Sequence, residues 1–231
     1  MPRTPNSMKM VGRMNHLVDP PGKTRLISAL RHLLEKRDFN SITTAEIANA
    51  ATTNEALIYR YFGSKRGLLH YVLFEYLEEM LGNIASHTKN IDSERKRLEQ
   101  IVRDTFDIYN RHRVFAKIVL VEVRCFKQYF ESDAYQLVKR YAQLYINAIE
   151  EGVKKGEFRN DIKPAYIRSA IIGIIEHITM PAVIFGRNLD PDISAKIVCE
   201  IVFNGIETKN KPEGIPASYS GSIPGKPELS V

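Results

Sequence analysis

Only two cysteines, Cys125 and Cys199, occur in 231 residues, each alone in an apolar helical pattern. A disulfide framework is excluded and free buried thiols are expected, in keeping with a reducing, cytoplasmic setting. The six histidines show no HExxH or cysteine-paired spacing, so neither a metal site nor another cofactor is expected. Gly63-Ser64-Lys65 lacks the preceding glycine of a phosphate-binding loop, which argues against nucleotide hydrolysis. The most apolar stretches, residues 169–175 and 178–186, are interrupted by Glu176 and His177. They fall short of the ~20 residues of a membrane helix, and no membrane partner is expected. The first 22 residues carry Arg3, Lys9 and Arg13 but also four prolines, with none of the ~7–15-residue apolar runs of a secretory signal. Alternating strand patterns and internal repeats are missing too.

What is present is ordinary for a globular chain: 44% hydrophobic and 26% charged residues, with a net charge of +6. That rules out wholesale disorder and gives one domain, or a small domain fused to a larger one. Residues 1–22 and 208–231, rich in proline and without apolar periodicity, are expected to be disordered tails. Between them the spacing is helical throughout, which predicts an all-α fold of about nine helices. Leu26, Ile27, Leu30, Leu33 and Leu34 open the series with a helix ending near Asp38. Thr43-Thr44-Ala45-Glu46 forms a capping box for a second helix to about Ala50. Asn54 caps a third, which holds Ile58 and Phe62 at i, i+4. Ser64 caps a long fourth, and further helices follow at about 93–111, 114–126, 133–155, 164–186 and 191–207, with a kink expected at Pro181.

The pair of short helices from Thr43 to Phe62 has the logic of a helix-turn-helix, in which the second helix enters the major groove. With Ile58 and Phe62 buried, a 100° step per residue turns Ala56, Leu57, Tyr59 and Arg60 outward. Leu57 suits a thymine methyl, Arg60 a guanine edge or phosphate, and the Tyr59 hydroxyl a phosphate. Lys65 stands where a helix start can also receive a phosphate oxygen. Residues 23–70 hold eight cationic and four acidic side chains, a net +4 that concentrates most of the charge in a fifth of the chain.

The run Thr43-Thr44-Ala45-Glu46-Ile47-Ala48, followed by Leu57-Ile58-Tyr59-Arg60-Tyr61-Phe62-Gly63-Ser64-Lys65-Arg66-Gly67-Leu68-Leu69, resembles the tetracycline-repressor (TetR) family of bacterial transcription regulators. The resemblance implies an N-terminal three-helix DNA-binding domain at 23–70 and a helical effector-binding and dimerisation domain at 71–207. Double-stranded operator DNA would be bound through Thr43, Asn54, Glu55, Leu57, Tyr59, Arg60, Tyr61 and Lys65, with Thr43, Tyr59 and Lys65 on phosphates. The turn departs from the family pattern, with Thr52-Thr53-Asn54 where Gly-Val-Ser is usual. A threonine at positive φ would cost roughly 1–2 kcal/mol, so a reshaped turn is expected.

The rest of the chain is rich in aromatic and branched residues, which predicts a hydrophobic small-molecule effector among Phe106, Tyr109, Glu122, Phe126, Tyr141, Tyr145 and His177. At helical spacing such aromatics are more often core than ligand cage, so only two or three are expected to line a cavity, and His177 is expected in the core or a pocket. Gly156-Glu157-Phe158 with Ile172-Gly173-Ile174-Ile175-Glu176 resembles the fatty-acid-metabolism regulators of the family, which implies a long-chain acyl-CoA. A drug-sensing repressor of an efflux system is the alternative. Ile167, Ile171, Ile174, Ile175 and Ile178 with Ile193, Ile197, Ile201 and Val202 exceed the needs of one small bundle and predict a homodimer face. The rival from another class, a helical-bundle enzyme, finds no nucleophile, base and orienting group at recognisable spacing, so no enzyme activity is expected.

Overall fold

Pro21 opens the first helix, where a missing N–H costs nothing. The computed structural model describes residues 20–206, and the expected tails lie outside them except at Pro20–Gly22. The expected boundary at residue 22 is corrected there, because helix α1 (Pro21–Leu34) already includes Gly22. It ends at Leu34, short of Asp38, and a 3-10 turn at Phe39–Ser41 then seats the buried Phe39. Next come α2 (Thr44–Ala50), α3 (Ala56–Phe62) and the 24-residue α4 (Lys65–Thr88). The chain continues with α5 (Glu94–Arg111), α6 (Arg113–Lys117), α7 (Lys127–Phe130), α8 (Asp133–Lys154), α9 (Pro164–Phe185) and α10 (Pro191–Ile206). Among the described residues there is no strand.

Among the described residues there are ten α-helices, against the expected count of about nine, because the segment 114–126 does not form one continuous α-helix. After α6 the backbone widens into a π turn at Ile118–Glu122, tightens into a 3-10 turn at Val123–Cys125 and restarts as α7. Apolar periodicity separates helix from strand but does not distinguish these helix widths. Conversely, α9 runs unbroken through Glu176, His177 and Pro181. Its 22 residues are long and apolar enough to cross a membrane by length and composition alone, a test that the core helix of a globular protein also passes, and Ile167, Ile171, Ile175, Thr179 and Ala182 are buried within the protein.

Two units pack separately: residues up to Glu79 with Val114–Val138, and Met80–Arg113 with residues from Lys139 onward. The first has a core of Leu26, Ile27, Leu30, Leu34, Ile47, Ile58, Leu68, Val72 and Leu73. The α6–α7 segment joins it: Phe115 stacks on Tyr76 at 5.1 Å, Lys117 pairs with Asp38 at 2.7 Å, and the Arg66 guanidinium lies 3.7 Å from the Phe126 ring centre. It therefore extends past the expected 23–70 span.

In the second unit, the loop after α8 ties three helices together. A Cβ on Gly152 would meet the Phe158 ring at 2.2 Å, so only glycine lets the loop fold back this closely. Glu157 then reaches the start of α5, accepting from the Ser93 hydroxyl and the Arg95 amide at 2.9 Å and from the Glu94 amide at 3.1 Å. Burial works against its charge, but these donors outweigh it and hold the carboxyl below its usual range. Phe158 stacks on Phe203, and the Arg159 amide closes on the Ile206 carbonyl at the end of α10.

Candidate DNA interface

The α2–α3 pair is built by local chemistry that can be followed atom by atom. The Thr43 hydroxyl accepts from the Glu46 amide at 3.2 Å while the Glu46 carboxylate accepts from the Thr43 amide at 2.7 Å, completing the capping box. Arg37 donates to the same carboxylate at 2.6 Å. With that guanidinium bond first and the Thr43 amide second, the Glu46 carboxyl falls to about 2. At the other end, the Thr52 amide bonds Asn49 O and the Thr53 amide bonds Ala48 O, both at 3.0 Å. This is a Schellman closure with Thr52 at the position that favours glycine. Its φ is +49°. The turn is therefore kept, not reshaped as expected, and threonine takes the strain.

Helix α3 starts from Asn54, whose side-chain oxygen accepts from the Ala56 amide at 2.8 Å. Its stop is Gly63 at φ +73°. Gly67 is needed immediately afterwards, because a Cβ there would sit 1.9 Å from the Phe62 carbonyl oxygen. Helix α1 ties to both the pair and α4: Arg25 donates to Ala51 O, just after α2, at 3.1 Å, and Lys23 donates to the hydroxyl of Tyr71 on α4 at 2.8 Å. Sequence reasoning missed both contacts, whose partners lie 26 and 48 residues away.

Ile58 is fully buried, and Ala56, Tyr59 and Arg60 stand exposed on the opposite face, as the helical step predicts. Tyr59 is a large aromatic left 53% exposed. Leu57, expected to face outward, is half-buried, as are Tyr61 and Phe62, the last expected to be buried with Ile58. Three other expected contacts are already engaged within the chain. The Thr43 hydroxyl serves the capping box and donates to Glu46 at 2.9 Å, and Glu55 is held by the Thr44 hydroxyl. Lys65 donates to Phe39 O at 2.7 Å and to Ile42 O, with Phe39 beneath its ammonium. Desolvation, with Arg66 nearby, lowers its pKa. Lys65 therefore anchors the loop before α2.

The residues expected to hold an effector fall in different places. Phe106, Tyr109, Tyr141 and Tyr145 are core residues of the second unit. There the Thr105 hydroxyl donates to Ile101 O at 2.7 Å and meets the Tyr141 and Tyr145 hydroxyls at 3.0 and 3.2 Å, while the two tyrosines meet at 2.8 Å. Three hydroxyl protons thus find acceptors in a closed network, and burial drives both phenols well above their usual pKa. Glu122 and Phe126 belong to the first unit, where burial raises the Glu122 pKa despite Lys117 at 3.9 Å. His177 is exposed, which corrects its expected place in a core or pocket.

The expected dimer residues divide as well. Ile167, Ile171 and Ile175 are spent in the second unit's own core, as is Val202, and Ile174 and Ile178 are half-buried. Ile193, Ile197 and Ile201 are exposed at 58%, 46% and 59%, together with Tyr166, Ile184 and Phe185.

Residues 26–72 match the model of the bacterial regulatory proteins of the tetR family, and residues 74–205 match the C-terminal region of YsiA-like protein. The fatty acid metabolism regulator protein of Bacillus subtilis (strain 168) is 19% identical over 189 residues, 82% of this chain and 97% of that protein. The HTH-type transcriptional repressor KstR2 of Rhodococcus jostii (strain RHA1) is 24% identical over 144 residues, 61% of this chain and 69% of the repressor. Among solved structures, FadR of Bacillus subtilis in complex with stearoyl-CoA has a TM-score of 0.71 at 18% identity, covering 80% of this chain and 99% of that one. A capped α2–α3 pair with an exposed aromatic and cationic face, followed by helices that match the family's C-terminal model, makes this chain a member of the TetR family of transcriptional regulators.

Proposed function

We propose that the protein is a repressor that binds a palindromic operator as a homodimer and leaves it when a hydrophobic effector, a long-chain acyl-CoA, binds the C-terminal helices. The observation that carries the DNA part is the exposed Ala56–Tyr59–Arg60 face, opposite the fully buried Ile58 on a helix capped at both ends. Ala56 lets the backbone approach the bases, Arg60 supplies a guanine or phosphate contact, and Tyr59 a phosphate contact. Asn54 and Tyr61 flank this face. Thr43, Glu55 and Lys65 act through the loop and helix starts they hold. The dimer reading rests on the second apolar face of α10, and the effector reading on the relative solved with stearoyl-CoA. Helix α4 runs without a break from Lys65 in the first unit to Thr88 in the second, so a ligand that displaces it can move α3. A coupling of ~1–3 kcal/mol is enough for such a switch.

The test begins by selecting operator sequences from random duplex DNA with the full-length protein. Tyr59→Ala/Arg60→Ala, folded by circular dichroism, is expected to lose selective binding. Acyl-CoAs of graded chain length are then titrated into the complex, and release is expected to strengthen with chain length. Selection of no sequence would defeat the DNA reading. Release by aromatic cations with no response to acyl-CoA would favour the drug-sensing alternative.

A further inference from the structure

We infer that Lys117 is a positioning residue for the α2–α3 pair: from the end of α6, 79 residues further along the chain, it holds the α1–α2 connector through Asp38 and so sets how α3 is presented to DNA. This rests on the DNA-binding reading above and adds to it a residue that touches neither base nor phosphate.

The first observation is how the connector is held. Of residues 35–41 only Phe39 is buried, so apolar packing anchors this stretch at a single point. Cations fix the rest of its course. Lys65 donates to Phe39 O and Ile42 O, Arg37 donates to Ser41 O and to the Glu46 carboxylate, and Lys117 Nζ donates to Asp38 Oδ1 at 2.7 Å. Asp38 is where the connector turns. Its carbonyl accepts from the Ser41 amide at 3.0 Å and from the Ser41 hydroxyl at 2.8 Å, and Ile42 and the Thr43 cap follow directly.

The second observation is what aims Lys117. It ends α6, and the π turn Ile118–Glu122 follows at once. Glu122 stands five residues on, with its carboxylate 3.9 Å from Lys117 Nζ. In a regular α-helix five residues turn through ~500°, which would place Glu122 roughly 140° away around the axis. The i to i+5 hydrogen bonds of a π turn return the fifth residue to the same face. Lys117 therefore stands between two carboxylates, exposed Asp38 and half-buried Glu122. The hydrogen bond to Asp38 raises its pKa and keeps the ammonium charged.

The pair does little for stability. Its side chains are 34% and 71% exposed, and surface ion pairs contribute little to folding. What it fixes is the place of Asp38, at the head of the turn that leads into the α2 cap. Arg37 and Lys65 grip the connector from within the helix-turn-helix region, whereas Lys117 grips it from the α6–α7 segment. The presentation of α3 thus depends on chain that lies beyond α5.

The test compares the full-length protein with Lys117→Met, Asp38→Asn and the double variant on duplexes selected by the unaltered chain. Each single variant is expected to keep its thermal midpoint and to bind DNA about 2- to 5-fold more weakly, and the double variant no more weakly than either. Asp38→Asn is the decisive arm. It removes a negative charge from the DNA-binding unit, so electrostatics alone would tighten binding, whereas loss of the Lys117 hold weakens it. Without DNA, hydrogen exchange at the Ser41 and Ile42 amides should accelerate in all three variants. Unchanged or tighter binding by Asp38→Asn, or additive losses in the double variant, would overturn the role. A salt slope shallower by about 1 in Lys117→Met would make Lys117 a phosphate ligand and likewise overturn it. Unchanged exchange in the connector would overturn the hold itself and leave the helix-turn-helix reading standing, while failure of the unaltered chain to select any sequence would overturn both.

Discussion

Thr52 carries a left-handed backbone that glycine would adopt without strain, and it does so at the turn that sets the angle between α2 and α3. The strain is roughly 1–2 kcal/mol, partly offset by the greater freedom glycine has when unfolded. Thr52→Gly is therefore expected to stabilise the protein by about 0.5–1 kcal/mol. It should raise the urea midpoint without changing the slope. A lower midpoint would mean that the threonine side chain contributes more than its backbone costs. Glu46 sets a pH dependence of the opposite kind. Its carboxyl is depressed to about 2, chiefly by Arg37 and next by the Thr43 amide. A folded value below the unfolded one gives stability that is present above ~4.5 and lost as the pH falls toward 2. Glu46→Gln should flatten that part of the acid denaturation curve, and identical acid profiles would remove Glu46 from the account.

At the scale of elements, legibility followed the distance between partners in the chain. The capping box is a four-residue pattern and could be read directly, as could the stop at Gly63 and the buried Ile58. Lys65 could not, because its acceptors Phe39 O and Ile42 O lie 26 and 23 residues away, and a cation at a helix start reads equally well as a phosphate ligand. Tyr141 and Tyr145 stand among the expected effector residues, but Thr105, 36 and 40 residues distant, ties both hydroxyls into the core. Gly156-Glu157-Phe158 was singled out by resemblance, and its local work is mechanical: Glu157 caps α5 across more than 60 residues of chain. Glu157→Gln keeps the shape but replaces one accepting oxygen with a donor that faces the α5 amides. The expected cost is about 1–2 kcal/mol, in line with the loss of a helix N-cap. Hydrogen exchange should accelerate first in the opening turn of α5. Uniform exchange and unchanged stability would show that Ser93 caps the helix alone.

For the whole molecule, helix α10 poses a problem that one chain does not solve. Its inner face buries Ala195, Val198, Cys199, Val202, Phe203 and Ile206, and its outer face repeats isoleucine at 193, 197 and 201. A helix that is apolar on two faces needs two partners, and isolated exposed isoleucines would not fall on one stripe at i, i+4, i+8. A second copy of the chain meets the need most economically, because a two-fold axis presents the same stripe from both sides. It would also set two α3 helices at a fixed spacing, which calls for operator half-sites about 34–36 Å apart or a multiple of that. Ile197→Glu tests the arrangement. An uncompensated charge in a dry interface costs roughly 3–5 kcal/mol. The dimer dissociation constant should rise at least ~100-fold. The variant should sediment as a monomer at micromolar concentration, keep its helical circular dichroism, and bind single half-sites as well as the parent while losing its advantage on paired ones. A variant that still sediments as a dimer would place the interface elsewhere.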